Sequence, residues 1–193
     1  MAGRKLQDND WTSFQNFGGW TRVDNIPRWE TDQYTADANP LSDTARARVE
    51  APVANIFWDT NLFIYLLEDS PGFGAVVQDL RRRMLHRNDR LFTSALTIGE
   101  VLVKPLSLGN KPLADRYRTL FAAPQLTVAP FGSNAADAYA EIRQDRSIHP
   151  ADAIQLACAA AAEIDLFITN DGRLSKKNVP GIKFISGLRE API

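Results

Sequence analysis

Four acidic residues, far apart along the chain, each stand where a short apolar run ends or a helical pattern begins. They are Asp59, Glu100, Asp152 and Asp171. Carboxylate oxygens are the ligands that Mg²⁺ and Mn²⁺ prefer, and a bound divalent cation can activate water for phosphodiester hydrolysis. Four carboxylates that meet would raise one another's pKa values unless cations neutralised them. The residue types therefore indicate a metal-dependent hydrolase, provided that the fold brings these positions together.

Asp59 and Glu100 each have a simpler local explanation. Asp59 precedes a predicted helix over residues 61–67, so its carboxylate could cap the exposed amides of that helix. Thr97-Ile98-Gly99-Glu100 matches a capping box, in which the glutamate bonds back to the threonine amide. These local roles are alternatives to metal binding.

Asp152 and Asp171 are open to the same objection. Asp152 lies just after Pro150, a residue typical of the first helical turn, where the helix dipole favours a carboxylate in any case. Asp171 lies between an asparagine and a glycine, which is an ordinary turn sequence. Taken singly, none of the four acids distinguishes a metal site from local structure.

The elements that must position these acids alternate between strand and helix from residue 51 onward. Strands are predicted at residues 53–58, 90–93, 126–128, 166–169 and 183–185, with helices near residues 61–67, 74–86, 97–106, 113–121, 135–144 and 150–162. This alternation predicts the α/β class, as a three-layer α/β/α sandwich with a mostly parallel sheet of about five strands. The carboxyl ends of parallel strands share one edge, so we expect the four acids to converge there.

The first fifty residues have a different composition, rich in polar residues and turn formers. We predict an irregular, loosely ordered N-terminal extension over residues 1–50 and one folded domain over residues 51–193. Within the extension, aromatic residues recur every three positions at Trp11, Phe14, Phe17 and Trp20. Three interpretations of this aromatic segment stay open: an arm loosely docked on the folded domain, a disordered segment, or a segment that binds a partner.

Composition excludes several other classes of protein. With 22 Lys and Arg against 23 Asp and Glu, the chain lacks the global positive charge of many nucleic-acid binders, so any basic surface must be local. One cysteine and two histidines are too few for a disulfide framework or an ordinary zinc site. No apolar run is long enough to cross a bilayer, and the first residues lack a secretory signal, so a cytoplasmic protein is expected. Cys158 falls in an apolar helix and is expected to be a core residue.

Four short segments resemble the PIN domain family, in particular its VapC-type toxins. They are residues 56–61 (IFWDTN), 93–100 (TSALTIGE), 152–157 (DAIQLA) and 166–171 (LFITND), in the family's order. The resemblance spans nearly all of residues 53–185. It implies that the four acids are the catalytic residues and the ligands of Mg²⁺ or Mn²⁺. It also implies that Asn61, Ser94 and Thr169 orient them.

The same resemblance implies a ribonuclease, an endonuclease that hydrolyses the phosphodiester bonds of structured RNA such as tRNA or rRNA. It implies further that the protein is the toxin of a type II toxin–antitoxin pair, blocked by a cognate antitoxin, and that it forms a homodimer. An apolar surplus after Glu100 is consistent with the homodimer contact, at Leu102, Val103, Leu106, Leu108, Leu113, Leu120 and Phe121. The extension over residues 1–50 departs from the pattern, because these toxins usually begin within a few residues of the first strand.

RNA binding would require positive charge near the acids. The densest basic cluster is Arg81-Arg82-Arg83, followed by His86, Arg87 and Arg90, although it also fits a solvated helix face. Arg173, together with Lys176 and Lys177, follows Asp171 closely and is an alternative, as is Lys104. The sequence does not rank these candidates.

Three other functions were weighed against the metal-dependent ribonuclease. A haloacid-dehalogenase-like phosphatase needs a second acid two positions after Asp59, where this chain has Asn61. A metal-independent ribonuclease could use His86 and His149 as acid and base, but nothing in the sequence brings them together. A non-catalytic PIN domain that binds RNA or protein is the third alternative, and its usual sign is loss of the acids.

Overall fold

A computed structural model describes residues 53–68 and 70–193 of the chain. Its five strands are β1 (Asn55–Trp58), β2 (Arg90–Ser94), β3 (Leu126–Ala129), β4 (Leu166–Thr169) and β5 (Phe184–Gly187). They form one sheet in the order β3-β2-β1-β4-β5, and every neighbouring pair is parallel. The first strand is therefore central, between β2 and β4. The extension over residues 1–50, with its aromatic segment, lies outside the described residues.

Within the described residues, six α-helices connect and cover the strands. They are α1 (Thr60–Leu67), α2 (Gly74–His86), α3 (Ala95–Ser107), α4 (Lys111–Phe121), α5 (Ser133–Ile142) and α6 (Pro150–Ala161), with a short 3-10 turn at Leu174–Lys176. The predicted α/β sandwich with a parallel five-stranded sheet is confirmed. None of the helices in the described part of the chain is both long and apolar enough to cross a membrane.

The main difference from the predicted boundaries is at the start of α3. The helix begins at Ala95 rather than at Thr97, because the Ser94 side chain acts as the N-cap and accepts a hydrogen bond from the Thr97 amide. The capping box predicted for Thr97 and Glu100 is therefore wrong. Glu100 lies in the second turn of α3, and its carboxylate is available for contacts outside its own helix.

The core lies on both faces of the central strands. Phe57 of β1 and Phe167 of β4 are fully buried and stack with their ring centroids 5.1 Å apart. All four residues of β4 are buried, as expected for an internal parallel strand. Cys158 is buried in α6 among these apolar residues, where burial raises the pKa of its thiol, so it is a core residue as expected.

One turn depends on a glycine. Gly181, before β5, has a φ of +88°, and a Cβ placed there would lie 2.9 Å from the carbonyl oxygen of Ala160. Both the backbone conformation and the close approach to α6 exclude a larger residue without movement. This turn therefore fixes the distance between the end of α6 and the last strand.

Candidate metal centre

The fold brings the four predicted acids to the carboxyl edge of the sheet. Asp59 directly follows β1, and Asp171 follows β4, its neighbour in the sheet. Glu100 projects from α3, which begins where β2 ends, and Asp152 lies in the first turn of α6. The acids also influence one another electrostatically, because the charges of Asp152 and Glu100 act on Asp59 while those of Asp171 and Glu100 act on Asp152.

Asp59 is the most buried of the four acids, with 8% of its surface exposed. Its Oδ1 accepts a hydrogen bond from the Thr60 amide at 2.7 Å, so it caps α1, and its Oδ2 accepts one from the Thr169 hydroxyl at 2.7 Å. Burial nevertheless raises its pKa to about 6, against these two hydrogen bonds, and the charges of Asp152 and Glu100 raise it further. Asp59 thus caps α1 and at the same time lies among the other acids, so the two roles do not exclude each other.

Asp152 carries the same electrostatic signature in a more open position. Its pKa is raised, first by partial burial and next by the charge of Asp171. His149 and Arg173 oppose this effect, and Glu100 adds to it. Ionisation of Asp59 and Asp152 at this edge is therefore unfavourable in free energy, and a bound divalent cation would make it more favourable.

Gln155 is a site residue that the sequence interpretation missed. It lies one turn after Asp152 on α6, is 2% exposed, and its amide nitrogen lies 2.8 Å from the Thr97 hydroxyl and 3.0 Å from the Thr60 hydroxyl. The Glu100 carboxylate also lies within 3.3 Å of that nitrogen and accepts a hydrogen bond from the Thr60 hydroxyl. A buried glutamine in an apolar helix requires such partners, and this was the available signal.

The three residues predicted to orient the acids have different surroundings. The Thr169 hydroxyl bridges two of the acids, since it donates to Asp59 and accepts from the Asp171 amide at 3.0 Å. The Ser94 hydroxyl donates to the Gln155 side-chain carbonyl at 2.6 Å and so supports Glu100 indirectly. Asn61 lies half-buried in the first turn of α1, and the buried network runs through its neighbour Thr60 instead.

Asp171 differs from the other acids because it has a cation of its own. Its carboxylate is held by the Arg173 guanidinium, with Nη2 2.6 Å from Oδ2 and Nε 3.2 Å from each oxygen. This hydrogen-bonded ion pair lowers the Asp171 pKa. The remaining nitrogen of the fork, Nη1, lies 3.1 Å from Nε2 of His149.

The other predicted basic cluster lies elsewhere. Arg81, Arg82 and Arg83 occupy the second half of α2, which ends shortly before β2 begins and therefore runs towards the amino edge of the sheet. Arg82 and Arg83 pair with Asp79 on the same helix. Of the basic residues considered, Arg173 is the one in contact with an acid of the site.

The chemistry of this donor set fits a hard divalent cation. Carboxylate oxygens dominate, and burial together with neighbouring acidic charges raises the pKa values of Asp59 and Asp152, an effect that a cation at this edge would oppose. Within residues 53–68 and 70–193, however, no three acidic, histidine or cysteine side chains lie close enough to hold one ion as they stand. Completing a metal site would therefore require side-chain movement, and Asp171 is the site acid whose carboxylate is paired with an arginine.

The architecture resembles that of several proteins of known structure. Three solved structures share the fold. A VapBC2 complex from Rickettsia felis bound to promoter DNA is 16% identical, with a TM-score of 0.55, and the match covers 68% of this chain and 97% of the other. FitAcB from Neisseria gonorrhoeae (20% identity, TM-score 0.53) and DNA-bound VapBC from Salmonella typhimurium (20% identity, TM-score 0.52) each match 70% of this chain over 99% of their own. At these identities the likeness concerns the fold alone. No curated protein matches the sequence.

The sequence itself matches the model of the PIN domain over residues 56–179. That region contains all four acids, Gln155 and Arg173. PIN domains are generally nucleases that use divalent metal ions. This chain belongs to the PIN domain family.

Proposed function

We propose that this PIN domain is a divalent-metal-dependent endoribonuclease, with Asp59, Glu100, Asp152 and Asp171 as its catalytic and metal-binding residues. The observation that supports the proposal most directly is the raised pKa of Asp59, about 6, at an edge where it meets Asp152 and Glu100. A fold gains no stability from such a cluster in the absence of a cation. Its presence in a nuclease family favours a site kept for Mg²⁺ or Mn²⁺.

The protein holds two of the acids rigidly and leaves two accessible. Asp59 is fixed by Thr169 and by the start of α1, while Glu100 is fixed by the Thr60 hydroxyl and by Gln155. Asp152 and Asp171 are partly exposed to solvent. A bound cation would lower the pKa of an attacking water and stabilise the leaving oxygen.

The direct test is cleavage of a labelled structured RNA in the presence of Mn²⁺. We expect the wild type to cut and Asp152→Asn to lose cutting by at least about 100-fold, because the substitution removes a ligand charge while preserving shape. Asp137→Asn is the matched control, since Asp137 is an exposed acid on α5, outside the site. RNA binding without cutting by the wild type would favour the non-catalytic alternative, and equal cutting by all three proteins would refute the assignment of the acids.

We further propose that the protein is the toxin of a toxin–antitoxin pair. The support is the shared fold with the VapBC complexes, together with four acids retained in the family's order. A cognate antitoxin would be a protein that purifies with this chain and inhibits cleavage. Co-expression with the neighbouring reading frames tests this, and the absence of any inhibitory partner would separate a stand-alone nuclease from a toxin.

The proposed homodimer has a suitable surface at the end of α3. Val103, Leu106 and Leu108 are 66%, 57% and 72% exposed, although large apolar side chains usually avoid water when grouped. Phe121, predicted for the same contact, is instead buried against Phe63 and Tyr117 within the domain.

A further inference from the structure

The ion pair between Arg173 and Asp171 is the least expected feature of the candidate metal centre. The guanidinium makes a two-sided contact with the carboxylate, and the Arg173 amide also donates to Oδ1 of Asp171 at 2.7 Å. An arginine fork on a carboxylate occupies the oxygens that a metal ion would use. One predicted ligand is therefore already engaged by the chain itself.

This pair is exposed enough to be exchanged. The Arg173 side chain is 64% exposed and that of Asp171 is 24% exposed. Solvent-exposed ion pairs contribute little net free energy, so separating Arg173 from Asp171 costs little. The Arg173 guanidinium thus occupies a position beside Asp171 that a metal cation can take in its place.

The backbone that carries Arg173 is anchored independently of the ion pair. Lys177, four residues later, donates to Asp145 at 2.6 Å and to Ser147 at 2.7 Å, which ties this segment to the loop before α6. Leu174, directly after Arg173, is buried in the core. The guanidinium can therefore change partners while its Cα stays at the edge of the site.

RNA would need such a cation. A cluster of carboxylates repels the phosphate backbone, and a single arginine beside the scissile position offers a geometry that matches phosphate oxygens. Lys176 and Arg146 are also exposed on the two segments that Lys177 joins. Of these basic residues, Arg173 contacts both Asp171 and His149.

We infer that Arg173 is a counter-ion that exchanges partners: it neutralises Asp171 in the metal-free protein, and when a divalent cation takes that carboxylate it moves to a phosphate of the bound RNA. This inference rests on the proposed function and names the residue through which metal binding and RNA binding are coupled. Arg173 is a substrate-binding residue only when the metal is present.

The first measurement is Mn²⁺ binding by isothermal titration calorimetry without RNA. Arg173→Ala is expected to bind Mn²⁺ about two- to fivefold more tightly than the wild type, because the competing guanidinium is gone. Arg173→Lys is expected to fall between them, since lysine keeps the charge but not the fork. Arg118→Ala is the matched control, because Arg118 forms an exposed ion pair with Asp115 on α4, and its affinity should equal that of the wild type.

The second measurement is RNA affinity and turnover. In metal-free buffer, fluorescence anisotropy with a labelled hairpin should give the same affinity for Arg173→Ala and the wild type, since the arginine is then engaged by Asp171. In Mn²⁺, Arg173→Ala should raise KM about tenfold or more with a smaller change in kcat. The slope of log affinity against log salt concentration should also decrease by the amount expected for the loss of about one phosphate contact.

The outcomes separate this inference from the function it rests on. Equal or weaker Mn²⁺ binding by Arg173→Ala, or an equal loss of RNA affinity with and without metal, overturns the exchange even if the wild type cuts RNA. If the wild type cuts no RNA but the Mn²⁺ affinities follow the expected order, the proposed ribonuclease activity is overturned. The competition between Arg173 and the metal ion for Asp171 is then still supported. No Mn²⁺ binding by any of the proteins overturns both.

Discussion

Replacing Asp59 by asparagine removes the charge of this side chain while nearly preserving its shape. In the wild type, the Asp59 pKa is raised from 3.8 to about 6 in the folded state. A folded pKa above the unfolded value means that the folded protein is penalised when the group is ionised. The penalty is fully present above about pH 6, diminishes as the pH falls towards 4, and is absent below the unfolded pKa.

The magnitude follows from the shift. About two pKa units correspond to about 3 kcal/mol of destabilisation at pH 7.5, which asparagine relieves. The asparagine oxygen can still accept from the Thr60 amide, but the Thr169 hydroxyl loses its carboxylate acceptor, at a cost of about 1 kcal/mol. The net expectation is a metal-free protein that is about 2 kcal/mol more stable at pH 7.5, or about 5 °C higher in Tm.

Urea unfolding in EDTA between pH 4 and pH 8 is the assay, with Asp137→Asn as the control for loss of an exposed acid. The stability advantage of Asp59→Asn should shrink as the pH falls and disappear near about pH 4. Mn²⁺ should stabilise the wild type and not the variant. A variant that is less stable than the wild type across this whole range, or whose difference does not vary with pH, would refute the electrostatic argument.

Three further predictions concern other parts of the domain. Gln155→Leu should lower the free energy of unfolding by about 2 kcal/mol, because buried hydroxyl groups lose their hydrogen-bond partner, and it should also weaken Mn²⁺ binding. Urea unfolding measures the first effect and calorimetry the second, and unchanged values in both would contradict the role of the Gln155 hydrogen bonds. Gly181→Ala should cost about 1–3 kcal/mol because of its positive φ and the nearby carbonyl, whereas Gly132→Ala, at a position with open space, should cost less in the same unfolding assay. The double substitution of Leu106 and Leu108 by glutamate should yield a monomer in sedimentation experiments if the wild type is a dimer, and a monomeric wild type at micromolar concentration would contradict the proposed contact.

The sequence was sufficient for the sheet and for the convergence of the acids, for a physical reason. Short apolar runs between helical segments define parallel strands, and the parallel arrangement alone dictates which residues share an edge. Asp59 and Asp171 could thus be assigned to the same edge of the sheet although 112 positions separate their numbers. The start of α3 was less certain, because Ser94 and Thr97 are both competent N-caps.

Contacts made by the side chains across the fold could not be predicted in the same way. Gln155 was visible as a polar interruption in an apolar helix, but its partners lie 58 and 95 residues away in the chain. The arginines at 81–83 form the densest basic run, yet the direction of their helix takes them towards the other edge of the sheet. Neither distance nor direction is contained in local sequence patterns.

The strand order has a consequence for how the protein gains activity as it is made. The ring of Phe57 stacks on that of Phe167, which is synthesised 110 residues later, so the centre of the sheet closes only when β4 is inserted beside β1. Closing so long a loop is entropically costly and slow compared with local helix formation. A nascent or truncated chain that ends before β4 holds at most three of the acids and lacks the strand that aligns them. If the protein is the ribonuclease proposed above, such a fragment is expected to be inactive until β4 has been synthesised.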